Sequence, residues 1–122
     1  MPLFLVMAGG ALGAGARYLV GRGALVWLGA AFPFGTLAVN LIGGFGMGLL
    51  VGLTSRHGAG EAWRLFLGVG VLGGFTTFSA FSLDIITLAD RQASLAIGYA
   101  ALSVGGAAAA LVLGLELART AT

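Results

Sequence analysis

Few residues in this chain are equipped for chemistry, and most of them stand inside long uncharged stretches. Asn40 brings an amide with two N–H donors and one acceptor. It serves either to bond one helix to a neighbour's backbone or to donate hydrogen bonds to an anion. Phe78 and Phe81 are three residues apart and share one face of a helix. They are either ordinary packing or a pair of electropositive ring edges flanking a void of halide size. Tyr99 and Ser103, spaced i,i+4, put two hydroxyls on one face. Those are interface residues or, joined with Ser79, a line of hydroxyl donors. Arg17 either snorkels to an interface, attracts anions into a vestibule, or pairs with a carboxylate. Asp84 lies one helical turn beyond Phe81. An ionised carboxylate repels an anion, so pairing, protonation or a structural role suits Asp84 better than direct ligation.

The most unusual run is Gly73-Gly74-Phe75-Thr76-Thr77-Phe78-Ser79-Ala80-Phe81-Ser82. Two glycines followed by two β-branched threonines disfavour a continuous helix. The pattern predicts a break in the third helix near Gly73 to Thr76, with unwound carbonyls free to coordinate a cation. Inside a bilayer such freed backbone groups survive only when buried in protein or lining a cavity.

These residues must be positioned by elements that live in lipid. Of the 122 residues 59% are hydrophobic, 23 are glycine and only 8% are charged, against about 25% charged in a soluble domain. That excludes a soluble enzyme and a disordered chain alike. Six scattered arginines make no nucleic-acid patch. The absence of cysteine excludes disulfides, thiolate metal sites and a cysteine nucleophile. No nucleophile–base pair, metal-ligand cluster or cofactor motif is present, so the sequence does not read as an enzyme. His57 reads as a solvated loop residue. No basic segment precedes the first apolar run, so that run reads as a span and not as a signal peptide.

Charges mark the borders of four spans of roughly 20 residues each: about 3–24, 34–54, 62–89 and 93–118, in a single membrane domain over 1–122. A turn is expected near Phe32-Pro33-Phe34-Gly35. Short loops force the spans to alternate direction. Arg56, Arg64 and Arg119 then fall on one side, and Arg17, Arg22 and Arg91 on the other. The positive-inside rule gives no preferred orientation. Either the small counts carry no meaning, or the protein inserts both ways and pairs as an antiparallel dimer. Gly9/Gly13, Gly44/Gly48/Gly52 and Gly70/Gly74 keep small-xxx-small spacing, which predicts close helix contacts in lipid.

Taken together, Gly9-Gly10-Ala11-Leu12-Gly13-Ala14 with Arg17-Tyr18, Gly35-Thr36-Leu37 with Val39-Asn40, and the run from Gly73 to Ser82 resemble the signatures of the Fluc (CrcB) family of fluoride channels. The resemblance extends over the whole chain in length, span plan and motif order. It implies an all-α membrane protein of four helices, the third broken near its centre, assembled as an antiparallel dual-topology homodimer in a bacterial cell membrane. It implies two fluoride pathways and one sodium ion at the dimer centre. Residue by residue, Asn40 matches the pore asparagine, and Phe78 and Phe81 the phenylalanines whose edges face fluoride. Gly73 and Thr76 match the donors of backbone carbonyls to sodium, Arg17 the vestibule arginine, and Ser79, Tyr99 and Ser103 the polar track. Ala80 departs from a common Thr and Asp84 from a common Glu, one methylene longer.

The function this implies is passive, fluoride-selective export. A proton-coupled small multidrug transporter is the second reading, but such proteins rely on a carboxylate in the first span, and no Asp or Glu precedes Glu61. A third reading, a non-transporting assembly subunit, predicts that substitutions at Asn40, Phe78 or Phe81 alter only dimer stability.

Overall fold

The computed structural model describes residues 2–57 and 60–121, and the side chains of 55–57 and 121 are outside the description. The expectation for His57 therefore falls outside the described side chains. Among the described residues four helical segments are long and apolar enough to cross a membrane: Pro2–Leu28, Phe34–Thr54, Glu61–Arg91 and Ala93–Thr120. We label the helices α1 (Pro2–Leu28), α2 (Phe34–His57), α3 (61–75), α4 (Ser79–Arg91) and α5 (Ala93–Ala121).

Helix α1 runs past Arg22, four residues beyond the border expected from the charges. Arg22 lies one turn after Tyr18, hydrogen-bonds its hydroxyl at 3.2 Å and stacks over its ring, so the charge is accommodated on the helix. What ends α1 is Gly29, which adopts φ +81 and donates its N–H to Leu25. That left-handed cap costs little only for glycine.

Helix α2 packs mainly on α5, and α1 mainly on α3. Glycine makes both contacts possible. A Cβ at Gly48 would meet Leu111 and Leu115 of α5, within 2.9 Å of the Leu115 nitrogen. Backbone atoms at that distance have no flexible end to swing aside. Gly48→Val is therefore expected to destabilise the subunit by about 3 kcal/mol or more. Gly23→Ala, where nothing lies within 4 Å, is expected to be neutral or mildly stabilising. Thermal unfolding of both variants in detergent checks this contrast.

The third crossing contains two features that composition does not announce. Residues Arg64–Leu72 of α3 are wound as a π-helix, a rare geometry seen mostly as single turns. Its buried Gly68 and Gly70 lie in this wider coil, and Gly70 sits against Gly9 of α1. The unwinding also falls later than the glycine pair. Gly73 is helical at φ −62 and ψ −39, whereas Thr76 is extended at φ −80 and ψ 158, and helix resumes at Ser79. Gly74 is consumed by packing, because a Cβ there would come within 2.6 Å of the Gly10 carbonyl oxygen. The extended conformation passes to the β-branched Thr76 instead. Thr76 closes α3 by donating both its N–H and its hydroxyl to Leu72.

Helix α4 then lies on α5 through Phe81, Leu88, Ala96 and Tyr99, which form a buried cluster. Much of the remaining surface is apolar, with Leu3, Phe4, Met7, Leu19 and Trp27 of α1 all exposed. Such a surface is matched to lipid.

Candidate functional site

The interruption between α3 and α4 lies between two concavities. One, of about 390 Å³, is lined by Asn40, Gly73, Thr76, Phe78, Phe81 and Ser103, among others. The other, of about 460 Å³, is a vestibule reached by Arg17, Arg22, Asp84 and Arg91. Thr77 lines both.

Asn40 is half-buried on α2, and its Oδ1 accepts the Thr77 N–H at 3.2 Å. That contact fixes the amide, since an N–H has no use for the NH₂ end as a partner. The acceptor is spent on backbone, and the donor capacity remains for the groove. The same bond takes away the donor that a continuing helix would send to the Gly73 carbonyl, four residues earlier. Asn40 therefore bonds to the backbone of a neighbouring segment, as the first of its two sequence readings expects.

Phe81 is 6% exposed and Phe78 is 77% exposed, with their ring centroids 5.7 Å apart and planes inclined at 53°. The two rings share one groove but are held very differently. Phe81 is wedged against Tyr99 at 5.3 Å, while Phe78 projects from the break. Tyr99 is fully buried and its hydroxyl lies 3.0 Å from the Asp84 carboxylate, to which it donates. This gives Asp84 a structural partner and shows that the shorter acid still reaches the fourth crossing. Ser103, one turn along from Tyr99, is 3% exposed. Its Oγ is buried and meets no partner at full hydrogen-bond geometry among the described residues, although it lies near enough to the Tyr99 hydroxyl to interact with it.

Arg17 is half-buried in α1 and its Nε donates to the Gly74 carbonyl at 3.2 Å. Among the described residues the ion pairs within 4 Å are Arg64–Glu61 and Arg119–Glu116, both exposed. Arg17 is thus bonded to backbone, not paired with a carboxylate. Ser79 is exposed and approaches Thr77 Oγ1 at 3.5 Å, apart from the linings of both concavities. Asn40, Phe78, Phe81, Ser103, Gly73 and Thr76 are brought together, with Tyr99 behind Phe81 and Arg17 on the vestibule side.

Sequence reasoning passed over Thr77. Its Oγ1 accepts the Ala80 N–H at 3.2 Å, which satisfies a free donor in the first turn of α4. A hydroxyl residue just ahead of a helix is the ordinary signature of such a cap, so the signal was present in Thr77-Phe78-Ser79-Ala80. Thr36 and Arg91 were also passed over. Both line the vestibule, and Arg91 ties α4 back to the α1–α2 turn through the Ala31 carbonyl.

A family model described as CrcB-like protein, Camphor Resistance (CrcB), matches residues 4–115. The chain belongs to the CrcB family. Relatives of this CrcB-family chain are named fluoride-specific ion channel FluC. The protein from Phenylobacterium zucineum (strain HLK1) is 59% identical over 120 residues, covering 96% of this chain and 94% of that protein. The one from Mesorhizobium japonicum is 53% identical over 119 residues, covering 97% and 96%. A third, from Sphingopyxis alaskensis, is 53% identical and covers 96% and 94%. The CrcB match reaches all four crossings and includes every residue of the groove.

The buried Ser103 hydroxyl, close to Tyr99 but short of full hydrogen-bond geometry, can be tested in this CrcB-family groove. A buried hydroxyl without a partner costs about 1–3 kcal/mol. Ser103→Ala is expected to raise the thermal unfolding temperature or leave it unchanged, while slowing ion flux. A lowered unfolding temperature would show that the hydroxyl serves the fold.

Proposed function

We propose that this protein is a fluoride-selective channel that lets cytoplasmic fluoride leave passively, protecting the cell from its toxicity. The carrying observation is the groove itself. A buried hydroxyl without a well-formed partner, an amide whose oxygen is turned to backbone and two neighbouring aromatic rings converge there. Each offers a donor or a positive edge, and among the described residues the groove lining contains no carboxylate. That chemistry suits a small anion stripped of water. The relatives' names supply which anion, and their function as ion channels argues against an enzyme. HF is a weak acid that crosses membranes uncharged and ionises inside. A channel for the trapped anion relieves it without energy input. Selectivity follows from replacing the hydration shell with fixed donors at several sites in a narrow path.

The functional form is an antiparallel homodimer of dual topology in the bacterial inner membrane, with two pathways. The even distribution of arginines supports it, as does the exposure of Phe78 on a groove open to the surface. We read residues 61–91 as one crossing broken between Phe75 and Ser79. The family's sodium ion fits this chain. The Gly73 carbonyl has lost its helical donor to Asn40, Thr76 is extended, and both line the groove. Carbonyl oxygens are suitable ligands for a hard cation, and a second copy of the chain would double the set. When bound, the ion supplies positive charge that balances the carbonyl ends.

The test is growth of a fluoride-sensitive bacterium lacking its own exporter. The wild-type gene is expected to restore growth in fluoride, and failure to do so with protein present in the membrane would overturn the reading. A reporter fused to the C-terminus should give comparable signals from both sides of the membrane; a single orientation would remove the antiparallel dimer.

A further inference from the structure

We propose that Arg17 is a positioning residue for the interruption between α3 and α4. It acts as a C-terminal cap that, with Asn40, clamps the interruption from both sides. This rests on the fluoride-channel reading for its transport readout but not for its structural one.

Where α3 stops, the last carbonyls lose their i+4 donors and carry the negative end of the helix dipole. In lipid no water is at hand to satisfy them. The Thr77 N–H, which would have served Gly73, is held by Asn40 Oδ1 at 3.2 Å. The next carbonyl, Gly74, receives Arg17 Nε at 3.2 Å from 57 residues away in sequence. One residue thus withdraws a donor and the other supplies one, on adjacent carbonyls. Arg17 has no carboxylate within ion-pair distance among the described residues. Asp84 lines the same vestibule but accepts the Tyr99 hydroxyl. A guanidinium at the carbonyl end of a helix is well placed electrostatically.

The packing explains why this reach is possible. Gly13 and Gly74 bring α1 and α3 into backbone contact: a Cβ on Gly13 would lie 2.8 Å from the Phe75 nitrogen, and one on Gly74 3.2 Å from the Ala14 nitrogen. Arg17 stands one turn beyond Gly13, level with the end of α3. While the Gly74 carbonyl bonds to α1, the preceding Gly73 is an exposed residue that lines the groove.

A clamp and an anion attractor differ in what they require of the side chain. A clamp requires a hydrogen-bond donor, and an attractor requires charge. Three variants separate them: Arg17→Gln, Arg17→Lys and Arg17→Met. Purified wild type and variants are read in two ways. One is fluoride efflux from liposomes at low and high ionic strength. The other is amide hydrogen exchange over the peptide containing residues 73–80. For Arg17→Met we expect faster exchange in that peptide and a loss of efflux of about tenfold or more, the same at both salt levels. Arg17→Gln is expected to restore much of the protection and efflux despite its lost charge. The proposal is overturned if Arg17→Lys behaves as wild type while Arg17→Gln matches Arg17→Met. It is equally overturned if the deficit vanishes at high salt, where long-range attraction is screened, or if exchange is unchanged in Arg17→Met. Should Arg17→Met fail to fold, the Gln and Lys variants decide alone. If the wild type passes no fluoride, the function reading falls, and hydrogen exchange still judges the clamp.

Discussion

Asn40→Asp is expected to reduce fluoride efflux by at least about a hundredfold while leaving the subunit folded. The substitution keeps the one contact that Asn40 makes to the backbone, because a carboxylate oxygen accepts the Thr77 N–H as well as the amide does. It replaces the donor end by a negative oxygen in the groove. A unit charge about 4 Å from a fluoride ion, at an effective dielectric of about 20, is worth roughly 4 kcal/mol of repulsion. That corresponds to almost three decades in an equilibrium constant. The checks are fluoride efflux from liposomes and thermal unfolding of the same preparation. Retained flux would mean that the groove is not the path. Asn40→Leu makes a useful companion, since it leaves the Thr77 N–H unpaired and is expected to lose stability as well as flux.

The second large effect divides the two phenylalanines. Phe78→Ile and Phe81→Ile each keep apolar bulk and remove a ring edge, and both are expected to cut efflux by about tenfold or more. Their effects on stability should diverge. Phe81 is 6% exposed and stacks on both Phe78 and Tyr99, and aromatic pairs contribute about 0.5–1.5 kcal/mol each beyond area. Its replacement should lower the unfolding temperature of the subunit. Phe78 is 77% exposed in the single chain, so its replacement should leave subunit unfolding nearly unchanged. Efflux preserved in Phe78→Ile would identify the ring as packing material, the reading that the spacing alone leaves open.

Much of this was legible from residue types alone. Scarce charges bordered the four crossings because lipid admits few of them. The glycine pairs at 9/13 and 70/74 marked positions of close helix approach, because such approach in lipid demands small residues, and the structure brings those two pairs together. The i,i+3 spacing brought Phe78 and Phe81 together. What escaped the sequence depends on contacts distant along the chain. The hydrogen bonds from Arg17 to Gly74, from Tyr99 to Asp84 and from Thr77 to Asn40 link different helices, and periodicity within one helix carries no information about them. The interruption falls at the far edge of the expected 73–76 stretch for a related reason. Glycine is read as a helix breaker by propensity, but Gly73 and Gly74 are helical here, and Gly74 is needed for its missing side chain. Tertiary contact overrode propensity, and the extended backbone moved to Thr76.

A groove that works as proposed passes fluoride and rejects larger anions. Ion efflux from liposomes containing the purified protein, read with fluoride and chloride electrodes on matched preparations, decides whether it does. Rapid fluoride release with chloride release at the protein-free rate is the predicted result. Equal release of both ions, or release of neither, would contradict it.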